Sequence, residues 1–165
     1  LVANYIQRSA EEAQEDFCLV DVGYRGLRMY IYQGAEFRNR RSVDLGLQHL
    51  EQEISDIRGV DIHVAHTHLM TNYLDAQNMD FSHDIYNRMA VEIMKSVNFY
   101  NYNNRDRSLH RICLVGGGAG IEPLRESIAQ MTNLEIMEAS RLIPGGEALE
   151  QPWLYARAIG CALQK

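Results

Sequence analysis

The sequence predicts a layered α/β domain on a mixed sheet, in which an antiparallel three-strand meander joins parallel strands and helices flank the whole. Three observations carry that prediction. A continuous apolar run, Phe17 to Val22, is followed by segments of alternating character. Beyond them the apolar spacing changes from two residues to three and four. A second apolar run, Arg111 to Val115, then breaks into glycines ahead of a helix.

Taken in order, Leu1 to Glu15 holds good helix formers with Ala3, Ile6, Ala10 and Ala13 at helical spacing, so it reads as a helix. Phe17 to Val22, ending at Gly23, has the uninterrupted apolar character of a strand buried on both faces, with Asp21 as its odd member. Leu27, Met29 and Ile31 alternate with Arg28, Tyr30 and Tyr32. Gly34 then turns the chain into a third strand, Phe37 to Leu45. From Gly46, Leu47, Leu50, Ile54 and Ile57 mark an amphipathic helix ending near Gly59. The stretch from Val60 to Leu74 fits either helix or strand. Ser82 or Asp80 is placed to cap a long helix with Ile85, Met89, Ile93, Met94 and Val97 inward, reaching toward Tyr100, and Asn101 to Asp106 reads as a polar loop. Arg111 to Val115, the glycines at 116, 117, 118 and 120, and a helix from about Ile121 with Pro123 in its first turn make a strand, glycine loop, helix unit. Leu134 to Met137 is a short strand. Trp153 to Leu163 is a final helix with Leu154, Ala158 and Cys161 or Ala162 inward.

Composition narrows the function classes. The 165 residues suit one domain, and 46% apolar with 23% charged residues is a globular balance that argues against disorder. With 22 acidic side chains against 16 basic ones, the formal charge of -6 repels phosphate backbones, so nucleic acid is not an expected partner. The apolar stretch Ile112 to Ile121 falls far short of the roughly 20 residues a membrane helix needs, and four of its residues are glycine; no membrane span is expected. No export signal opens the sequence, which points to the cytoplasm. Cys18, Cys113 and Cys161 sit among apolar neighbours and read as buried free thiols.

Both buried strands end in glycines, and the carboxyl ends of sheet strands are where α/β domains bind ligands. Glycine lets backbone approach a phosphate or purine closely, and a helix N-terminus favours an anion. Asp21 at a strand end suits magnesium held through water.

With Asp21-Val22-Gly23 opening a hairpin, the segment Phe17 to Gly34 resembles the second phosphate motif of the actin-like ATPases, whose domains have a ribonuclease-H-like fold. The run from Ile112 through Gly116, Gly117, Gly118, Ala119 and Gly120 to Leu124 resembles their adenosine motif. Within that superfamily Val91 to Ala119, and Glu92 to Tyr100 above all, is most similar to the PilM-type proteins of type IV pilus assembly, with the cell-division actin FtsA as the nearest relative. The closing Ala158 to Leu163 also fits. The resemblance covers nearly the whole chain and matches only the second half of such proteins. A first nucleotide-binding half is accordingly expected upstream of Leu1, in keeping with a start inside helix-like sequence and without methionine.

The resemblance implies ATP with magnesium as cofactor: Asp21 near magnesium and phosphate, Gly23 beside phosphate, and Gly116, Gly117 and Gly118 against adenosine. It also implies the cytoplasmic tail of an inner-membrane assembly protein as partner, a place at the inner face of the membrane through that partner, and a capacity for self-association. The pattern is eroded, however. Where the family's phosphate hairpin carries small hydroxyl residues, this chain has Tyr24, Arg25, Gly26 and Leu27, with no serine or threonine. The glycine pair at the next helix is Gly46-Leu47, and the acidic and lysine pair falls near His66 to Leu69, where no such charges stand. Weak or absent hydrolysis follows as an expectation, with Arg25 set where phosphates sit and either pointing into solvent or pairing with an acidic group across the cleft. The alternatives are an FtsA-like division protein and an active phosphotransferase of the same superfamily.

Other candidates are weaker. On a helix His63 and His66 share a face, and on a strand His66 and His68 do; neither arrangement completes a metal set. Arg38, Arg40 and Arg41 form a small basic patch suited to a solvated hairpin, an acidic partner or anionic lipid. Ser127 and Ser140 lack the glycine context of a nucleophile.

Overall fold

A computed structural model describes residues 15–34, 36–142 and 145–162. The helix expected over Leu1 to Glu15 therefore lies outside the described residues, except for Glu15. Five strands, β1 (Phe17–Val22), β2 (Leu27–Gln33), β3 (Glu36–Val43), β4 (Arg111–Val115) and β5 (Glu135–Met137), form one sheet in the order β3-β2-β1-β4-β5. The first three pair antiparallel, and β1–β4 and β4–β5 pair parallel, as the mixed-sheet prediction requires. Every residue of β1 is buried, because helices cover both faces at this central strand.

One face carries Val20, Val22, Met29, Ile112 and Leu114. It is covered by α1 (Leu47–Arg58), α3 (Asp80–Asn103) and α4 (Glu122–Thr132) through Leu50, Ile54, Met89, Ile93, Leu124 and Ile128. The other face carries Phe17, Leu19, Tyr32, Cys113 and Val115, against Trp153, Ala156 and Ile159 of α5 (Pro152–Ala162). The undecided stretch after Val60 becomes α2 (Ile62–Met70), capped by Asp61, whose carboxylate accepts from the His63 amide at 2.8 Å, followed by a 3-10 segment, Tyr73–Asn78.

Five expectations need correcting. Ile57, expected on the apolar face of α1, is 55% exposed, and buried Glu51 stands on that face instead. The N-cap of α3 is Met79; Ser82 lies inside the first turn, fully buried, its hydroxyl donating to the Ala76 carbonyl at 2.8 Å. That helix also runs to Asn103 through half of the expected loop. Asn101 holds it there by accepting from the Leu109 amide at 2.8 Å and donating to the Leu109 carbonyl at 3.4 Å. The rotation of α5 differs too: Leu154 and Ala158 face solvent while Trp153, Ala156 and Ile159 face the sheet. Trp153 sets this, because its indole fills the space over Gly120, where a Cβ would lie 3.0 Å away. Lastly, Cys18 and Cys113 are buried, with burial pushing both thiols up to about 12, but Cys161 on the outer side of α5 is exposed.

Candidate functional site

The carboxyl ends of β1 and β4 lie side by side, since Asp21 pairs with Val115 in the parallel register. All six predicted site residues are found at this end of the sheet, in two groups. Gly23 and Arg25 belong to the β1–β2 turn. Gly116, Gly117 and Gly118 follow β4, and Asp21 lies between the groups.

The β1–β2 turn is tied shut by backbone. The Gly23 amide donates to the Gly26 carbonyl at 3.1 Å. The amides of Leu47 and Gln48, which open α1, donate to the carbonyls of Gly23 and Tyr24 at 3.2 and 2.9 Å, and the His49 amide is given to Gly46 at 3.2 Å. Gly46 makes this docking possible, because a Cβ there would run into the Gly26 amide and the carbonyls of Tyr24 and Gly23. A helix N-terminus ordinarily leaves such amides for an anion, and here they are spent on the turn. Arg25 stands exposed at the tip, with no ion pair among the described residues.

After β4, Gly116 adopts φ +90, and a Cβ on it would stand 2.5 Å from Asp21 Oδ1. Gly118 backs onto the Val22 side chain so closely that no Cβ fits. Gly117 differs: a Cβ there would meet only Leu47 Cδ1, at an ordinary 3.6 Å, and the residue is half-buried.

Asp21 is 4% exposed. Its Oδ2 accepts from Arg28 Nη1 at 3.4 Å and stands 3.7 Å from Arg157 Nη1, while Oδ1 lies against Gly116. Arg28 sits directly opposite it in the antiparallel ladder, and Arg157 reaches it from α5. A carboxylate already shared by two guanidiniums does not suit a hydrated divalent cation, which needs acceptor oxygens free of competing positive charge. Beside this cluster lies a cavity of about 160 Å³ lined by Leu19, Asp21, Tyr30, Tyr32, Ala156 and Arg157. Sequence reasoning passed over both arginines. Arg28 was within reach of it, since a hairpin turning at Gly23 to Gly26 sets residue 28 opposite residue 21. Arg157 carries no local signal.

The remaining candidates take structural places. His66 Nδ1 is 2.7 Å from Oε1 of buried Glu51, and His68 Nδ1 is 3.2 Å from Arg58 Nη1. Among the described residues no three His, Cys, Asp or Glu side chains gather as a metal set. Ser127 donates to Asn87 Oδ1 at 2.9 Å. In the basic patch Arg38 pairs with Glu36 and Arg41 with Glu92, each at 2.7 Å. Among the described residues no helix is long and apolar enough to cross a membrane.

The family model described as type IV pilus assembly protein PilM matches residues 2–162. Among solved structures, the chain is similar to one in a PilM-PilN type IV pilus biogenesis complex, with TM-score 0.72 and 16% identity over 99% of this chain and 51% of that one. It is also similar to Ta0583, an archaeal actin homolog, with TM-score 0.62 and 16% identity over 96% and 52% of the two chains. A third likeness is to the activator of 2-hydroxyisocaproyl-CoA dehydratase from Clostridium difficile with bound ADPNP, with TM-score 0.57 and 16% identity over 98% and 63%. These likenesses show the fold, that of the actin-like ATPases. The chain spans about half the length of the first two. No curated protein sequence matches it.

Proposed function

Because the chain belongs to the PilM family of type IV pilus assembly proteins, we propose that it is the nucleotide-facing half of a cytoplasmic actin-like scaffold in pilus or related secretion assembly. The scaffold is held at the inner face of the membrane by the cytoplasmic tail of an inner-membrane assembly protein. The family match over residues 2–162 carries this reading, and the similar solved chain, which stands in a complex with PilN, supports the kind of partner. Gly117 is the one glycine of the β4 turn where a Cβ would fit, meeting only Leu47 Cδ1 at 3.6 Å, and this reading puts adenosine closest there.

The domain is a poor hydrolase in this reading. The turn from Gly23 to Leu27 offers no serine or threonine hydroxyl to a terminal phosphate, the α1 amides are donated to carbonyls, and Asp21 is engaged by two arginines. Binding without turnover suits a scaffold whose ligand sets its shape. The test is affinity purification of the intact protein from membranes. Recovery of an inner-membrane assembly protein, lost when that protein's cytoplasmic tail is deleted, together with ATP turnover no faster than buffer, is the expected result. Turnover at ordinary enzyme rates, on the order of 1 per second or more, would replace the scaffold with an ATPase.

A further inference from the structure

We propose that Arg28 and Arg157, anchored on Asp21, form a binding site for a phosphate-type anion that works without a divalent cation. The proposal rests on the reading that this end of the sheet faces a nucleotide, and it assigns the ligand's charge to guanidiniums where the resemblance implies magnesium.

The geometry supports it in three ways. Two guanidiniums share one carboxylate oxygen, so the cluster keeps one unit of positive charge after Asp21 is neutralised, and among the described residues neither arginine has a second carboxylate partner. Their distances to Oδ2, 3.4 and 3.7 Å, exceed the 2.7–2.9 Å of a tight charge-assisted hydrogen bond. Asp21 therefore positions these side chains without exhausting their donors, and a guanidinium has five. Finally, Arg157 is 67% exposed and Arg28 44%, while Asp21 is buried, so an anion from solvent meets the cations and not the carboxylate. Planar guanidinium matches phosphate oxygens two at a time, which a lysine would not do. The neighbouring cavity, walled by Leu19, Tyr30 and Tyr32, gives the rest of a ligand an apolar surface.

The test follows arginine Nε–Hε and backbone amide signals of the intact protein by NMR, titrated with inorganic tripolyphosphate and separately with ATP, each in EDTA and again with magnesium in place of EDTA, and with manganese alone without EDTA. In EDTA, tripolyphosphate shifts the Arg28 and Arg157 side-chain signals. Magnesium adds no affinity, and manganese alone leaves the Asp21 and Gly116 amides sharp. Arg157→Gln weakens tripolyphosphate binding about tenfold, the scale of one lost charge-assisted contact, with an unchanged melting temperature because the side chain is exposed. Selective broadening at Asp21 by manganese, binding that requires magnesium, or no arginine shift at millimolar tripolyphosphate would each overturn the proposal. Arginine shifts with tripolyphosphate but not with ATP would uphold the anion site and sink the nucleotide reading. ATP binding only with magnesium would do the reverse.

Discussion

The turns that follow β1 and β4 look alike in sequence, each a short apolar strand running into glycines, yet the fold spends those glycines differently. Around the β1 turn, Gly26 and Gly46 let backbone press on backbone: Gly26 lies against the Val43 carbonyl, Gly46 against the turn itself, and the first amides of α1 close the gap. After β4, Gly116, Gly118 and Gly120 accommodate Asp21, Val22 and Trp153, but Gly117 keeps its space. A glycine whose missing Cβ is replaced by the chain's own atoms is explained by packing. One that is left open is free for something else. The contrast makes the β1 turn a structural joint and leaves Gly117 as the one glycine of the β4 turn whose Cβ position the chain's own atoms do not fill.

The strongest way to break this contrast is to fill the joint. Gly46→Ala drives a Cβ into three backbone atoms that cannot retreat without losing the Leu47 and Gln48 amide bonds, and it should cost about 3 kcal/mol in urea unfolding. A loss under 1 kcal/mol would show the joint to be loose. Gly116→Ala combines the strain of φ +90 with contact on Asp21 Oδ1 and should cost about 2 kcal/mol by the same measurement. Gly117→Ala sharpens the comparison from the other side: stability within about 0.5 kcal/mol of the parent, with ATP affinity reduced about tenfold in calorimetry if adenosine lies there. The smallest effect concerns the strands that carry the two turns. Thiols held near 12 leave only about one part in ten thousand ionised at pH 8, so Cys18 and Cys113 should resist a thiol reagent while exposed Cys161 labels within minutes. Labelling of Cys18 or Cys113 on that timescale would mean that the sheet opens.

The sheet was legible because its signals are local. The unbroken apolar β1, the alternation in β2 and the strand, glycine, helix sequence around Gly116 each state their element without reference to the rest of the chain. The departures arise where a distant partner decides. Asn101 prolongs α3 by gripping Leu109, and Trp153 rotates α5 by docking on Gly120. In the candidate site Asp21 and the glycines were readable from strand ends, but what surrounds Asp21 was not. Arg157 reaches it from 136 residues away along the chain, so neither spacing nor periodicity relates the two. Arg25, the arginine nearest in sequence to the phosphate turn, stands exposed, while Arg28 meets the carboxylate across the ladder.

Hydrogen exchange of backbone amides in the intact protein, with and without saturating ATP, tests the contrast between the two turns most directly. The account predicts that ATP slows exchange at Gly117 and its neighbours up to Gly120 and leaves the turn from Gly23 to Gly26 as it was. Protection centred on Gly23 to Gly26, with the Gly117 amide unaffected, would contradict it and return the phosphate site to the β1 turn.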